Sequence, residues 1–129
     1  MARMRTLADR AEQLLGAAVV STTPVAGGDV CTATRLRLSD GRSALIKTRP
    51  HAPEGFFEAE ARGLHWLAEP GVAEVAEVLG VTEDCIVLAW IEPTRPSPEG
   101  AVALGRMLAP LHASGAETFG AEQDGFIGT

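Results

Sequence analysis

Ala44-Leu45-Ile46-Lys47, followed by Phe56-Phe57-Glu58-Ala59-Glu60-Ala61-Arg62-Gly63-Leu64, is the stretch on which the reading of this chain turns. The first piece ends a strand-like run. The second lies between Pro53 and Pro70 and reads as an amphipathic helix, with Phe56, Phe57, Leu64 and Leu67 at helical spacing on one face. Glu60 falls inside that apolar stripe. A carboxylate turned toward a core costs several kcal/mol unless a cation meets it, and Lys47, just upstream, is the cation placed to do so. Glu58 reads differently: it aligns with Glu54 and Arg62 on the polar face, where it can pair with Arg62 at i,i+4. On its strand Lys47 shares a face with Leu45 and Arg49, while Ala44, Ile46 and Thr48 take the other. Taken alone it reads as an edge-strand lysine in solvent; Glu60 gives it a partner.

Outward from this pair the chain alternates between sheet and helix signals. Thr6 to Leu15 has the apolar stripe Leu7, Ala11, Leu14 and Leu15, and Gly16 ends it. Ala17 to Ala26 reads as a strand. Val30 to Leu38 alternates, with Thr34, Leu36 and Leu38 opposed to Arg35 and Arg37. Asp40-Gly41 between two such runs is a hairpin signal, which makes Ser43 to Arg49 the third strand. Val78 to Thr82 and Cys85 to Ile91 form a second hairpin about Glu83-Asp84. The proline-stiffened stretch from Glu92 to Pro98 leads to a last helix from about Glu99 to Ala113, and an irregular glycine-rich tail begins at Ser114. The first three strands are joined too tightly for parallel crossovers, so an antiparallel meander with a helix packed on it is the economical α+β arrangement.

Composition bounds the function. With 129 residues the chain has enough for one modest core. A net charge of -6 argues against nucleic acid as a partner, which needs a basic face; a phosphate ligand stays open, because one lysine and backbone N–H groups can hold it. No apolar run approaches a membrane span. Arg3, Arg5 and Arg10 are not followed by a hydrophobic segment, and Asp9 and Glu12 disfavour an organelle presequence, so a cytoplasmic location is the expectation. Cys31 and Cys85, which lack metal-ligand spacing, read as small core residues inside strands. His51, His65 and His112 do not cluster and take no acid–base role.

Two further stretches could carry chemistry. Gly27-Gly28-Asp29 between two strands reads as a tight turn, or as a backbone that lies over phosphates. The run Cys85-Ile86-Val87-Leu88-Ala89-Trp90-Ile91 reads as a buried strand that enters a rigid linker.

In that order, glycine hairpin, strand lysine, helix glutamate and apolar strand before a linker, the chain resembles the N-terminal lobe of a protein-kinase-like fold. More finely it resembles the fructosamine (ketosamine) kinase family, relatives of the aminoglycoside and choline phosphotransferases. The segments that carry this are Pro24-Val25-Ala26-Gly27-Gly28-Asp29-Val30, Asp40-Gly41-Arg42 leading to Leu45-Ile46-Lys47-Thr48, Phe56 to Leu64, Val87-Leu88, Leu104-Gly105-Arg106 with Leu111-His112, and the terminal Phe119-Gly120 and Phe126-Ile127-Gly128-Thr129.

The resemblance implies a five-stranded antiparallel sheet with one packed helix, an extra N-terminal helix and a helix after the hinge. Residues 1–91 would be the ATP-binding lobe, 92–98 the hinge linker and 99–129 the start of a second lobe. It implies a kinase that uses ATP and Mg2+ to phosphorylate ketosamines, as small molecules or on glycated protein lysines. Lys47 would grip the α/β-phosphates, Glu60 would orient Lys47, and Gly27, Gly28 and Asp29 would form the phosphate lid. Leu88 would border the adenine in a hinge formed by Ala89, Trp90 and Ile91, with the backbones of Ala89 and Ile91 reading the adenine edge. The chain departs from the family pattern at Ala89, where an acidic residue is usual, at Asp29, where some members have cysteine, and at Gly125, where asparagine is common. The family's catalytic His-Gly-Asp segment and magnesium ligands have no match, so the chain reads as the N-terminal piece of a longer kinase, inactive alone because phosphoryl transfer needs both magnesium and a base. An aminoglycoside- or choline-type phosphotransferase and a non-catalytic nucleotide- or partner-binding module are the alternatives.

Overall fold

The Asp40-Gly41 turn sets the register of the sheet. Gly41 takes a positive φ of 89°, and the Asp40 carboxylate accepts from the Arg42 backbone N–H at 3.0 Å and its guanidinium at 2.7 Å. The Arg42 N–H bond is the main reason Asp40 sits below the usual carboxylate range. That turn joins β2 (Thr32–Leu38) to β3 (Ser43–Thr48), pairing Arg37 with Ser43 and Ala33 with Lys47. β1 (Val19–Val25) pairs with the outer side of β2. The second hairpin, β4 (Val78–Val81) and β5 (Cys85–Ala89), docks through β5, giving one antiparallel sheet in the order β1-β2-β3-β5-β4. The computed structural model describes residues 6–128; Arg3, Arg5 and Thr129, which entered the sequence reading, lie outside that range.

Each face of this sheet carries a helix over part of its width, and the interior of β1 stays exposed. The helix α1 (Leu7–Leu15) is started by a capping box between Thr6 and Asp9 and ended by Gly16 in the left-handed conformation. Its Ala11 packs with Leu36, Leu38, Ala44, Ile46, Cys85 and Val87 in one core. A Cβ on Gly80 would come within 3.3 Å of Leu14, so glycine lets α1 approach β4. On the other face α2 (Phe56–Ala68) sets Phe57 and Ala61 against Ile86 and Leu88 in a second core. The N-terminal helix, expected as an addition to the lobe, thus packs on the face opposite α2.

Several boundaries and faces differ from expectation. β5 stops at Ala89 rather than Ile91, because the Trp90 N–H to Ser43 carbonyl bond at 3.3 Å reaches the first residue of β3 and no ladder is left beyond it. Cys31 lies one residue ahead of β2 and is half-buried beside the α2 core, outside the strand predicted to hold it. Leu67 is 42% exposed. The stripe that packs over the sheet is Phe56, Phe57, Ala61 and Leu64, and Leu67, the penultimate residue of α2, falls outside it. The last helix, α3 (Pro98–Ser114), accepts its Gly100 N–H on the Ser97 hydroxyl at 3.0 Å and buries no residue. Among the described residues no helix is long and apolar enough to cross a membrane.

Candidate nucleotide site

Lys47 stands on β3, the central strand of the sheet, not on an edge. It opposes Ala33 on β2 and Ile86 on β5, so its side chain leaves the face that α2 covers. There Lys47 Nζ meets Glu60 Oε1 at 2.7 Å. The two side chains are 27% and 28% exposed, so the pair is sheltered without being sealed. Such a pair contributes little to stability, on the order of 1 kcal/mol or less; its consequence is geometric, because the carboxylate holds the ammonium against the sheet.

Glu58 is less solvated than the helix pattern implied. No ion pair joins it to Arg62, and its Oε2 is buried without a hydrogen-bond partner. The Glu60 side of the contrast stands on its 2.7 Å bond, whereas the Glu58 side is corrected.

The glycine turn lies at the same end of the sheet as Lys47, because Val25, Ala33 and Lys47 occupy one row across β1, β2 and β3. Gly27 and Gly28 take φ of 116° and 80°, values that side chains disfavour, and a Cβ on Gly27 would meet nothing within 4 Å. Asp29 is exposed in the same turn. The turn is thus exposed backbone with open space around Gly27, and exposed backbone of this type can offer N–H groups to a phosphate.

Along that face from Lys47 toward the hinge, the β5 side is apolar. Leu88 opposes Leu45 and is 8% exposed, packed with Phe57 and Ala61. The Ala89 N–H is already given to the Glu77 carbonyl at 2.9 Å, and the Trp90 N–H to Ser43, whereas Ile91 is 68% exposed. Lys47, Glu60 and Leu88 therefore share one face, with Gly27, Gly28 and Asp29 at its end and Ala89, Trp90 and Ile91 beside it. Among the described residues no three His, Cys, Asp or Glu side chains converge as metal ligands.

Two clusters escaped the sequence reading. Arg35, seen there only as the polar side of β2, lies with its guanidinium carbon 4.5 Å from the Trp90 ring centroid. Phe56 meets Phe57 and Phe126 edge-on at 5.0 and 5.4 Å and has the Arg49 guanidinium over its ring. Through Phe126 the tail returns to the start of α2, leaving a cleft of about 670 Å³ lined by residues such as Arg62, Trp66, Glu122 and Asp124. Neither long-range contact has a local spacing signal.

Cys85 contacts the α1 core rather than this face, and burial pushes its thiol up. With the folded value raised, stability is complete below the unfolded thiol's range, ~8.5, and declines as pH rises through it. The urea midpoint is expected to fall more for the natural protein than for Cys85→Ala between pH ~8 and ~10, and iodoacetamide to label Cys31 before Cys85. Equal pH slopes, or equal labelling rates, would contradict this.

A five-stranded antiparallel sheet that presents a strand lysine to a helix glutamate at the end marked by a glycine turn is the architecture of a kinase-like N-terminal lobe. At 8% identity and a TM-score of 0.50, over 80% of this chain and 35% of the other, the fold is shared with the aminoglycoside phosphotransferase APH(2")-IIa, solved as a ternary complex with streptomycin and ATP. A crystal structure assigned to a fructosamine-3-kinase of Thermobifida fusca superposes with a TM-score of 0.84 at 35% identity, covering 95% of this chain and 44% of that one. The "probable ketoamine kinase" TTHA1179 of Thermus thermophilus is 43% identical over 106 residues, 82% of this chain and 37% of that protein. Residues 3–129 match the family model for fructosamine kinase, and the chain belongs to that family. It spans less than half the length of each of these proteins.

Proposed function

We propose that this chain is the ATP-binding portion of a ketosamine kinase, with residues 1–91 as its N-terminal lobe and 99–129 as the start of a second. The observation that carries this is the 2.7 Å Lys47–Glu60 bond on the sheet face that ends at the glycine turn, in a chain of the fructosamine kinase family. Lys47 would contact the α/β-phosphates, Glu60 would hold Lys47 in line, and Gly27, Gly28 and Asp29 would close over the phosphates. Leu88 would border the adenine. With the Ala89 N–H committed to Glu77, that residue's contribution to the adenine edge would be its carbonyl, and Ile91 would add its N–H. ATP supplies the phosphoryl group; Mg2+ would be held by residues outside the described part. A cytoplasmic location remains part of the proposal.

The test is turnover by the protein expressed from its complete reading frame, with ATP and a panel of fructosyl-lysine, ribulosyl-lysine, choline and kanamycin. Phosphorylation of the two sugar adducts and neither of the others is the expected result. Transfer to choline or kanamycin instead would reassign the acceptor, and ATP binding without transfer to any would favour a non-catalytic module.

A further inference from the structure

One long side chain ties the second strand to the hinge. Arg35 opposes Leu45 on β3, which opposes Leu88 on β5, so Arg35 emerges on the Lys47 face two strands away from the hinge. Its guanidinium crosses beneath β3. There Nη2 lies 3.5 Å from the Ser43 hydroxyl and 3.8 Å from Glu92 Oε2, and the guanidinium carbon sits 4.5 Å from the Trp90 ring centroid. Glu92 Oε2 also accepts from the Trp90 indole N–H at 2.9 Å. Trp90 and Glu92 are the residues on either side of Ile91, and Trp90 follows Ala89. A planar cation stacked on the first and paired with the second therefore grips the backbone between them.

The arrangement has a cost. Arg35 Nε is buried with no hydrogen-bond partner, a penalty that an apolar side chain in the same row would avoid. What arginine adds, and a leucine could not, is simultaneous attachment to the indole face and to a carboxylate two residues on.

We propose that Arg35 is the positioning residue of the hinge, fixing the Ala89–Ile91 backbone in the path that meets an adenine ring. This rests on the nucleotide-site reading above. Arg35 itself touches no reacting atom; its effect passes through Trp90 and Glu92.

The experiment uses the complete protein, with the Kd for ATP measured by calorimetry and the inhibition constant of inorganic tripolyphosphate alongside it. Arg35→Met is expected to weaken ATP about fivefold and to leave kcat, and the tripolyphosphate constant, within about twofold, since only the adenine end is disturbed. Arg35→Lys, which keeps the charge but not the planar stack, should recover part of the loss. Glu92→Gln, an exposed change, should weaken ATP about twofold, and its effect should be less than additive with Arg35→Met. The proposal is overturned if Arg35→Met leaves the ATP constant unchanged, or weakens ATP and tripolyphosphate equally as a general loss of structure would. Should Arg35→Met fail to fold, an unchanged ATP constant in Glu92→Gln overturns it alone. A natural protein that binds ATP but phosphorylates no ketosamine would sink the acceptor assignment and leave this test standing; one that binds no ATP would sink both.

Discussion

Replacing Lys47 by alanine in the complete protein is expected to reduce ATP-dependent turnover roughly a hundred- to a thousandfold, the range for removing one preorganised charge donor from a reacting group. The fold should survive. Lys47 is 27% exposed and belongs to neither apolar core, so the thermal midpoint should move by no more than a few degrees. The loss should appear chiefly in kcat, because the ammonium is assigned to the phosphates rather than to the adenine. Glu60→Gln separates two roles. It keeps a hydrogen-bond acceptor for the ammonium and discards the charge, so a smaller loss is expected, about tenfold. Steady-state kinetics with saturating ATP, with circular dichroism as a check on folding, distinguishes these outcomes. Full activity in Lys47→Ala would refute the assignment of the site.

The second large effect concerns stability. Phe57→Ala should cost about 3–5 kcal/mol, the usual range for deleting a buried aromatic ring and leaving a cavity. Phe57 has no exposed surface, meets the Phe56 ring edge-on at 5.0 Å, and stands between α2 and the Ile86 and Leu88 side chains. Against a typical total of roughly 5–15 kcal/mol, that removes a large fraction of the margin. It should also loosen Glu60, which sits on the next turn of the same helix, so residual folded protein should show lowered kcat. Val20→Ala is the contrast: Val20 is 68% exposed on the outermost strand, and its loss should stay within about 1 kcal/mol. Urea unfolding of the complete protein measures both. A Phe57→Ala midpoint indistinguishable from that of Val20→Ala would mean that α2 is not anchored through this ring.

The two predictions draw on one arrangement. α2 is fastened to the sheet by Phe57 and Ala61, and that fastening sets where Glu60 can reach. A cation on the central strand then meets the carboxylate at 2.7 Å. The stripe is therefore a positioning device as well as a core. Glu58, two residues from Glu60, is carried round the helix by about 200° and takes no part in the pair, yet its Oε2 is buried rather than solvated as its spacing suggested.

What could be read from residues alone was whatever obeys a local period or a local turn. Alternation marked the strands, Asp40-Gly41 marked their reversal, and Thr6 and Gly16 bounded the first helix, because each depends on backbone geometry within a few residues. Glu60 was legible for a different reason: a charge in an apolar stripe demands a partner, and the demand is visible before the partner is. Only tertiary structure could decide that β5 inserts between β3 and β4, so that Lys47 stands on a central strand, and that α1 packs on the second face. It alone could bring Arg35 beneath β3 to Trp90 and return Phe126 to Phe56. Those contacts join residues tens of positions apart, and their geometry depends on strand order and helix placement, which no local spacing encodes.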